Sequence, residues 1–143
     1  AYPSAKYEKY TSGYKFQARN VSLAGLDMDN CEFVFTNGIF TKATFNKPTG
    51  WKQIHVSRVQ SFLSSLNQQM QSDYQEVCDA ISSKYGTPKI SGQTVTWRTS
   101  NGNSITVKPW IKEDAGIVLD DGTTFAGMGI YIIYSKGSHI NDF

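Results

Sequence analysis

Apolar and polar residues alternate on both sides of an Asn-Gly pair in the stretch NCEFVFTNGIFTKATF, residues 30–45. Alternation at period two marks half-buried strands, and Asn-Gly between two such runs marks a hairpin turn. A two-residue loop would set Phe33 opposite Lys42 and Cys31 opposite Thr44, mixing core and solvent on one face. A three-residue loop, Thr36-Asn37-Gly38, sets Phe35 opposite Ile39, Phe33 opposite Thr41 and Cys31 opposite Ala43, and leaves Glu32 facing Lys42 on the other side. The second register is expected, with Gly38 left-handed in a bulged turn, because a slip of one residue would exchange the buried and exposed faces. In it Val34 and Phe40 lie opposite each other on the outer face.

The same grammar recurs twice. In TVTWRTSNGNSITV the loop Ser100-Asn101-Gly102 sets Trp97 opposite Ile105 and Val95 opposite Val107, with Thr96 facing Thr106 and Arg98 facing Ser104. In IVLDDGTTF the loop Asp120-Asp121-Gly122 sets Leu119 opposite Thr123 and Ile117 opposite Phe125. A strand is expected over 14–20, where Tyr14, Phe16 and Ala18 alternate with Lys15, Gln17 and Arg19, and another over 129–135, GIYIIYS, which is apolar on both faces and suits the interior of a sheet.

Between the first two hairpins the period changes. Val56, Val59, Leu63, Leu66, Met70, Tyr74, Val77, Ile81 and Tyr85 recur every three or four residues, as one face of a helix does. Ser57 with Gln60 reads as a capping box, and Gly86 followed by Pro88 as the stop. A straight helix over this span would run about 43 Å, against a diameter of about 37 Å for a sphere-like domain of this length. A break near NQQMQSD, residues 67–73, is therefore expected, with Ser72-Asp73 as a second cap. The sum is an α+β fold in one domain, 1–143: an antiparallel sheet of hairpins packed on one side by a long or broken helix, in the order β-β-β-α-β-β-β-β. The first dozen residues and the closing KGSHINDF are expected to be loosely held.

Composition excludes more than it identifies. The chain has 143 residues, 39% hydrophobic and 18% charged, and a formal net charge of +2 with no block of like charge, so nucleic acid is not expected as a partner. No apolar run approaches the length of a membrane span, and no signal peptide is seen. Cys31 falls on the core side of its strand and Cys78 beside the helix stripe. A disulfide between them is the favoured reading, closing a loop worth roughly 4 kcal/mol and implying an oxidising compartment; two buried free thiols are the alternative.

Reactive groups do not converge. His55 precedes the helix, and His139 lies in the tail near Asp142. Asp27, Asp29, Asn30 and Glu32 in LDMDNCE lack the spacing of a calcium loop and read as a polar turn, as does the Asp-Asp-Gly at 120–122. No catalytic residue, metal site or cofactor is expected. The outer patch of Val34 and Phe40 is expected to be covered by the N-terminal segment bearing Tyr7, Tyr10 and Tyr14, or else to serve as a partner or dimer surface. Trp51 and Trp110, each near a proline, are further candidate contact aromatics.

KYGTP, TVTWR, SITV and IYIIYS together resemble a pattern in small exported bacterial α+β domains and lipoproteins of unassigned role, in which a helix ends in Tyr-Gly-x-Pro and leads into a Trp-bearing hairpin. The resemblance covers the second half and implies packing and export, not chemistry. The expectation is therefore a periplasmic or secreted protein without catalysis that binds another macromolecule, in the manner of an inhibitor, immunity or envelope accessory protein. The alternative is a small-molecule-binding domain or hydrolase with a pocket between helix and sheet and carboxylates such as Asp27 or Asp114 acting. Neither reading excludes a homo-oligomer.

Overall fold

The computed structural model describes residues 6–9, 13–23, 26–113 and 117–137, with side chains from Cys31 onward. Eight strands form one sheet: β1 (Lys6–Lys9), β2 (Gly13–Leu23), β3 (Leu26–Thr36), β4 (Ile39–His55), β5 (Lys89–Ser91), β6 (Thr94–Arg98), β7 (Ser104–Glu113) and β8 (Thr123–Ser135). A single helix, α1 (Val59–Tyr85), follows β4 after a 3₁₀ turn at Val56–Arg58. The spatial order is β1-β2-β3-β4-β8-β7-β6-β5, and every neighbouring pair is antiparallel. Two four-strand meanders thus meet at the β4–β8 seam, and α1 carries the chain from one to the far edge of the other. The α+β class and the helix-covered antiparallel sheet agree with expectation, while the order has four strands before the helix, not three.

The core lies between α1 and one sheet face. Val59, Leu63, Met70, Val77 and Ile81 of the helix are buried against Ala43 and Phe45 of β4, Val95 and Trp97 of β6, Ile105 and Val107 of β7, and the even-numbered Ala126 to Ile132 of β8. The β6–β7 register is the predicted one at all four pairs. Trp97 is 1% exposed, and its indole N–H donates to Ser82 Oγ and to the Gly86 carbonyl, both at 3.1 Å. It thereby ties the sheet to the last turn of α1, where Gly86 at φ 89° returns its own N–H to the Ser82 carbonyl.

The first hairpin departs from its predicted register. Thr36 pairs with Ile39 and Phe35 with Phe40 around a two-residue Asn37-Gly38 turn, both turn residues having positive φ. The bulge falls instead at Thr41, whose hydroxyl donates to the Val34 carbonyl. One extra residue there restores the burial pattern, so that Phe33 meets Ala43 and Cys31 meets Phe45. Phe40 consequently turns to the helix side and stacks on Tyr134 at 6.1 Å, whereas Val34 stays outside, opposite Lys42.

Three other expectations are corrected. The helix is unbroken for 27 residues, about 40 Å at 1.5 Å per residue. The sheet beneath it is no sphere: β4 alone has 17 residues, so the layer is long enough to carry the rod. Asp73 accepts from Gln69 and Thr49 rather than capping a second helix. At the helix start Ser57 sits inside the 3₁₀ turn, which His55 caps, and Gln60 reaches Glu113 instead, so no capping box forms. The 120–122 turn is present, with Leu119 and Thr123 bonded across it, but 117–119 is not a strand, and the segments expected at 123–125 and 129–135 are one strand, β8.

The disulfide is also absent: Cys31 and Cys78 are free thiols, Cys31 fully buried and Cys78 half-buried against the same core. They behave as small apolar groups filling the layer between helix and sheet. Burial, and secondarily the neighbouring Glu32 charge, pushes the Cys31 thiol up to about 12, and burial followed by Asp79 pushes Cys78 up to about 11. Ellman's reagent should therefore count two thiols in denatured protein prepared without reductant, with Cys78 reacting first under native conditions. The folded state keeps the Cys31 proton where the unfolded chain loses it. The contribution of Cys31 to stability is thus present below its unfolded value of 9.0 and is lost as pH rises toward about 12. Between pH 9 and about 10.5, urea unfolding should show the wild type losing roughly 2 kcal/mol more than Cys31→Ala; equal losses would show that Cys31 does not set this slope.

Candidate functional site

Face identity along β4 is set by its contacts with α1. A Cβ on Gly50 would lie 2.8 Å from Leu66, and Lys52 lies over the Phe62 ring, so Trp51 and Gln53 between and beyond them point away from the helix. The register carries this outer face across the sheet: Trp51 lies beside Gly127 and Lys112, and Trp110 beside Gly129. Strand β8 contributes Phe125, Gly127, Gly129 and Tyr131 to this side, two aromatics separated by two bare positions. The glycines leave the room that the two indoles occupy. A Cβ on Gly127 would come within 2.3 Å of the Gly50 carbonyl and 2.6 Å of the Trp51 ring, and one on Gly129 within 2.9 Å of the Trp110 ring.

Four rings form a continuous cluster. Trp51 stacks on Phe125 with centroids 6.1 Å apart and planes at 11°, meets Trp110 edge-on at 6.3 Å, and Trp110 tilts onto Tyr131 at 5.9 Å. The Trp110 N–H donates to Asn46 Oδ1 at 2.9 Å, fixing that indole. Trp51 is 43% exposed and Phe125 36%. A depression of about 580 Å³ opens among Asn46, Pro48, Trp51, Trp110, Lys112 and Tyr131. Five exposed cations, Lys42, Lys89, Arg98, Lys108 and Lys112, share the face by register with the half-buried Glu32, and Lys112 Nζ lies 5.6 Å from the Trp51 ring. The surface is therefore apolar at its centre and basic around it.

Of the sequence candidates, Trp51 and Trp110 are brought together. Val34 shares their face but pairs with Lys42, roughly 30 Å along β4 from Trp51 at the usual rise per residue. Phe40 belongs to the opposite face. Among the described N-terminal residues, Lys6–Lys9 adds an edge strand, Tyr7 pairs with Phe16 and Tyr14 with Phe35, whereas Tyr10 lies outside the described residues. Phe125 and Tyr131 were missed as site residues. Their signal was the spacing Phe-x-Gly-x-Gly-x-Tyr on one side of a strand, which the expected break near Gly129 concealed.

The acidic stretch at Asp27–Asn30 is strand rather than turn, paired with β2. Among the described residues no group of three His, Cys, Asp or Glu could hold a metal ion, and no helix is long and apolar enough to cross a membrane. His139, Asp142 and Asp114 lie outside the described residues. His55 Nδ1 accepts from the Ser57 N–H at 3.2 Å and contacts its hydroxyl at 2.8 Å. Across from it the Thr123 hydroxyl and N–H donate to Asp121, which holds that carboxyl below its usual range. His55, Ser57 and Asp121 are exposed and Thr123 half-buried; the first pair satisfies the turn at the helix start and the second the turn before β8.

A second opening lies on the helix side. A hollow of about 340 Å³ lies between the C-terminal end of α1 and β3, β4, β7 and β8, with Phe33, Phe40, Phe45, Ile81, Ile132 and Tyr134 in its wall. The helix packs on β4, β6, β7 and β8, so this space opens where its cover ends and the β1–β3 wing begins. No family model matches the chain, and no curated protein or solved structure matches it.

Proposed function

We propose that this chain is a non-catalytic binding protein that docks another protein on the outer face of its sheet. The observation that carries the reading is the Trp51–Phe125–Trp110–Tyr131 cluster, exposed at its centre yet held by its own stacking and by Asn46. Aromatics fixed before binding lose little conformational freedom on contact, and Trp and Tyr supply a large share of interface energy. The surrounding lysines and arginine favour a partner with an acidic rim. The rings stack on each other instead of presenting free faces to bases, which favours protein over single-stranded nucleic acid. Export belongs to the proposal but rests on the resemblance of the second half alone, since free thiols give no argument for an oxidising compartment.

The test is affinity capture from the native host with wild type and Trp51→Ala in parallel, the variant first shown to unfold at the same urea concentration. A protein retained by the wild type and lost by Trp51→Ala is the expected result. The same protein recovered on both baits would remove the outer face from the site. Quenching of Trp51 by a short oligothymidylate would replace the protein partner with nucleic acid, and a doubled mass in light scattering that Trp51→Ala abolishes would make the partner a second copy. A second reading, a small-molecule site between helix and sheet, is favoured by the apolar, aromatic-lined hollow beneath the end of α1.

A further inference from the structure

The space beneath the end of α1 has a shape and a lining that narrow its occupant. Two alanines, Ala80 on the helix and Ala43 on the sheet, stand in its wall among Phe33, Phe40 and Tyr134, and the side-chain volume they lack is part of the opening. Its 340 Å³ falls at the lower end of small-molecule sites. One turn of a partner helix, about 10 Å wide and 5.4 Å long, would already exceed it. Phe40 stacked on Tyr134 and Phe33 edge-on to Phe45 form a wall of fixed aromatic surface.

One charged side chain reaches this wall among the described residues, and it is a cation: Lys84, in the last turn of α1, with Nζ 5.5 Å from the Tyr85 ring. No described carboxylate lines the space to neutralise it. An exposed lysine beside an apolar hollow can keep its ammonium in water while its stem lies along the wall, so the charge stands at the mouth.

We infer that this hollow binds a small lipophilic anion, an aromatic or branched apolar body carrying one carboxylate or sulfonate, with the body against Phe40 and Ile81 and the charge at Lys84. The inference rests on the small-molecule reading and adds the sign of the ligand. The test uses two fluorescent probes with the same rings, anilinonaphthalene sulfonate and the neutral phenylnaphthylamine, on the folded full chain. Both should bind saturably at one site, and Ala80→Trp, or Ala80→Leu if the larger residue prevents folding, should abolish both. Lys84→Glu should weaken the sulfonate about tenfold and leave the neutral probe within about twofold. Trp51→Ala should change neither. If the neutral probe binds but Lys84→Glu leaves the sulfonate unaffected, the anionic specificity is wrong and the site stands. If wild type binds neither probe, or the Ala80 variants bind both as before, the site itself is wrong.

Discussion

Trp97→Ala should be the most destabilising single change in the core, costing about 3–5 kcal/mol. The side chain is 1% exposed and packed between β6 and the end of α1, so its removal leaves a void that surrounding strands, paired on both sides, cannot close. Two acceptors, Ser82 Oγ and the Gly86 carbonyl, would also lose their donor. Domains of this size have roughly 5–15 kcal/mol in total, so the variant should melt roughly 10–15 °C lower. Trp97→Phe separates the two contributions: it keeps most of the apolar volume, loses the indole N–H, and should cost about 1–2 kcal/mol. Urea denaturation of both variants checks this. A Trp97→Ala midpoint close to wild type would mean that the indole does not bridge sheet and helix.

Gly127→Ala should be nearly as damaging and should act on the outer face as well. The added methyl would meet the Gly50 carbonyl at 2.3 Å and the Trp51 Cα at 2.9 Å, both backbone atoms of the neighbouring strand, in addition to the Trp51 ring. A side chain can swing aside, but a paired strand can yield only by losing ladder hydrogen bonds at the β4–β8 seam. A cost of about 3 kcal/mol is expected, at the upper end for overpacking. The Trp51 indole should be displaced from Phe125, so the near-ultraviolet circular dichroism of the cluster should weaken even where the far-ultraviolet signal is kept. Wild-type stability with an unchanged aromatic spectrum would contradict the close approach of β4 and β8 at this point. Any partner captured through Trp51 should also be lost by this variant, which links the seam to the proposed docking face.

The two predictions bear on different kinds of legibility. Trp97 opposite Ile105 could be read from residues 94–107 because the three-residue loop ending in Gly102 fixes the register within a few residues of the pair. The helix could be read from its stripe, and Gly86 marks its end in the structure as in the sequence. The first hairpin shows where such reading stops. Both registers bury the same face of β3 and of β4 from Ala43 onward, and the choice between a bulge in the turn and a bulge at Thr41 rests on how Phe40 packs against Tyr134, nearly one hundred residues away. That choice moved Phe40 from the proposed surface to the interior. The cysteines fail for a related reason: a strand and a helix that share a core can bury two thiols there without bonding them.

Local sequence thus determined the helix stripe, the second hairpin with its three-residue turn and the buried side of β6 and β7, since these depend on backbone preferences and apolar periodicity over a few residues. Only the tertiary structure decided that β4 lies against β8. Any half-buried strand can hydrogen-bond to any other, and the partner is chosen by the packing of the whole layer. That seam sets Trp51 over Gly127 and, with β7 on the far side, Trp110 over Gly129, and so assembles the exposed aromatic face from four side chains on three strands.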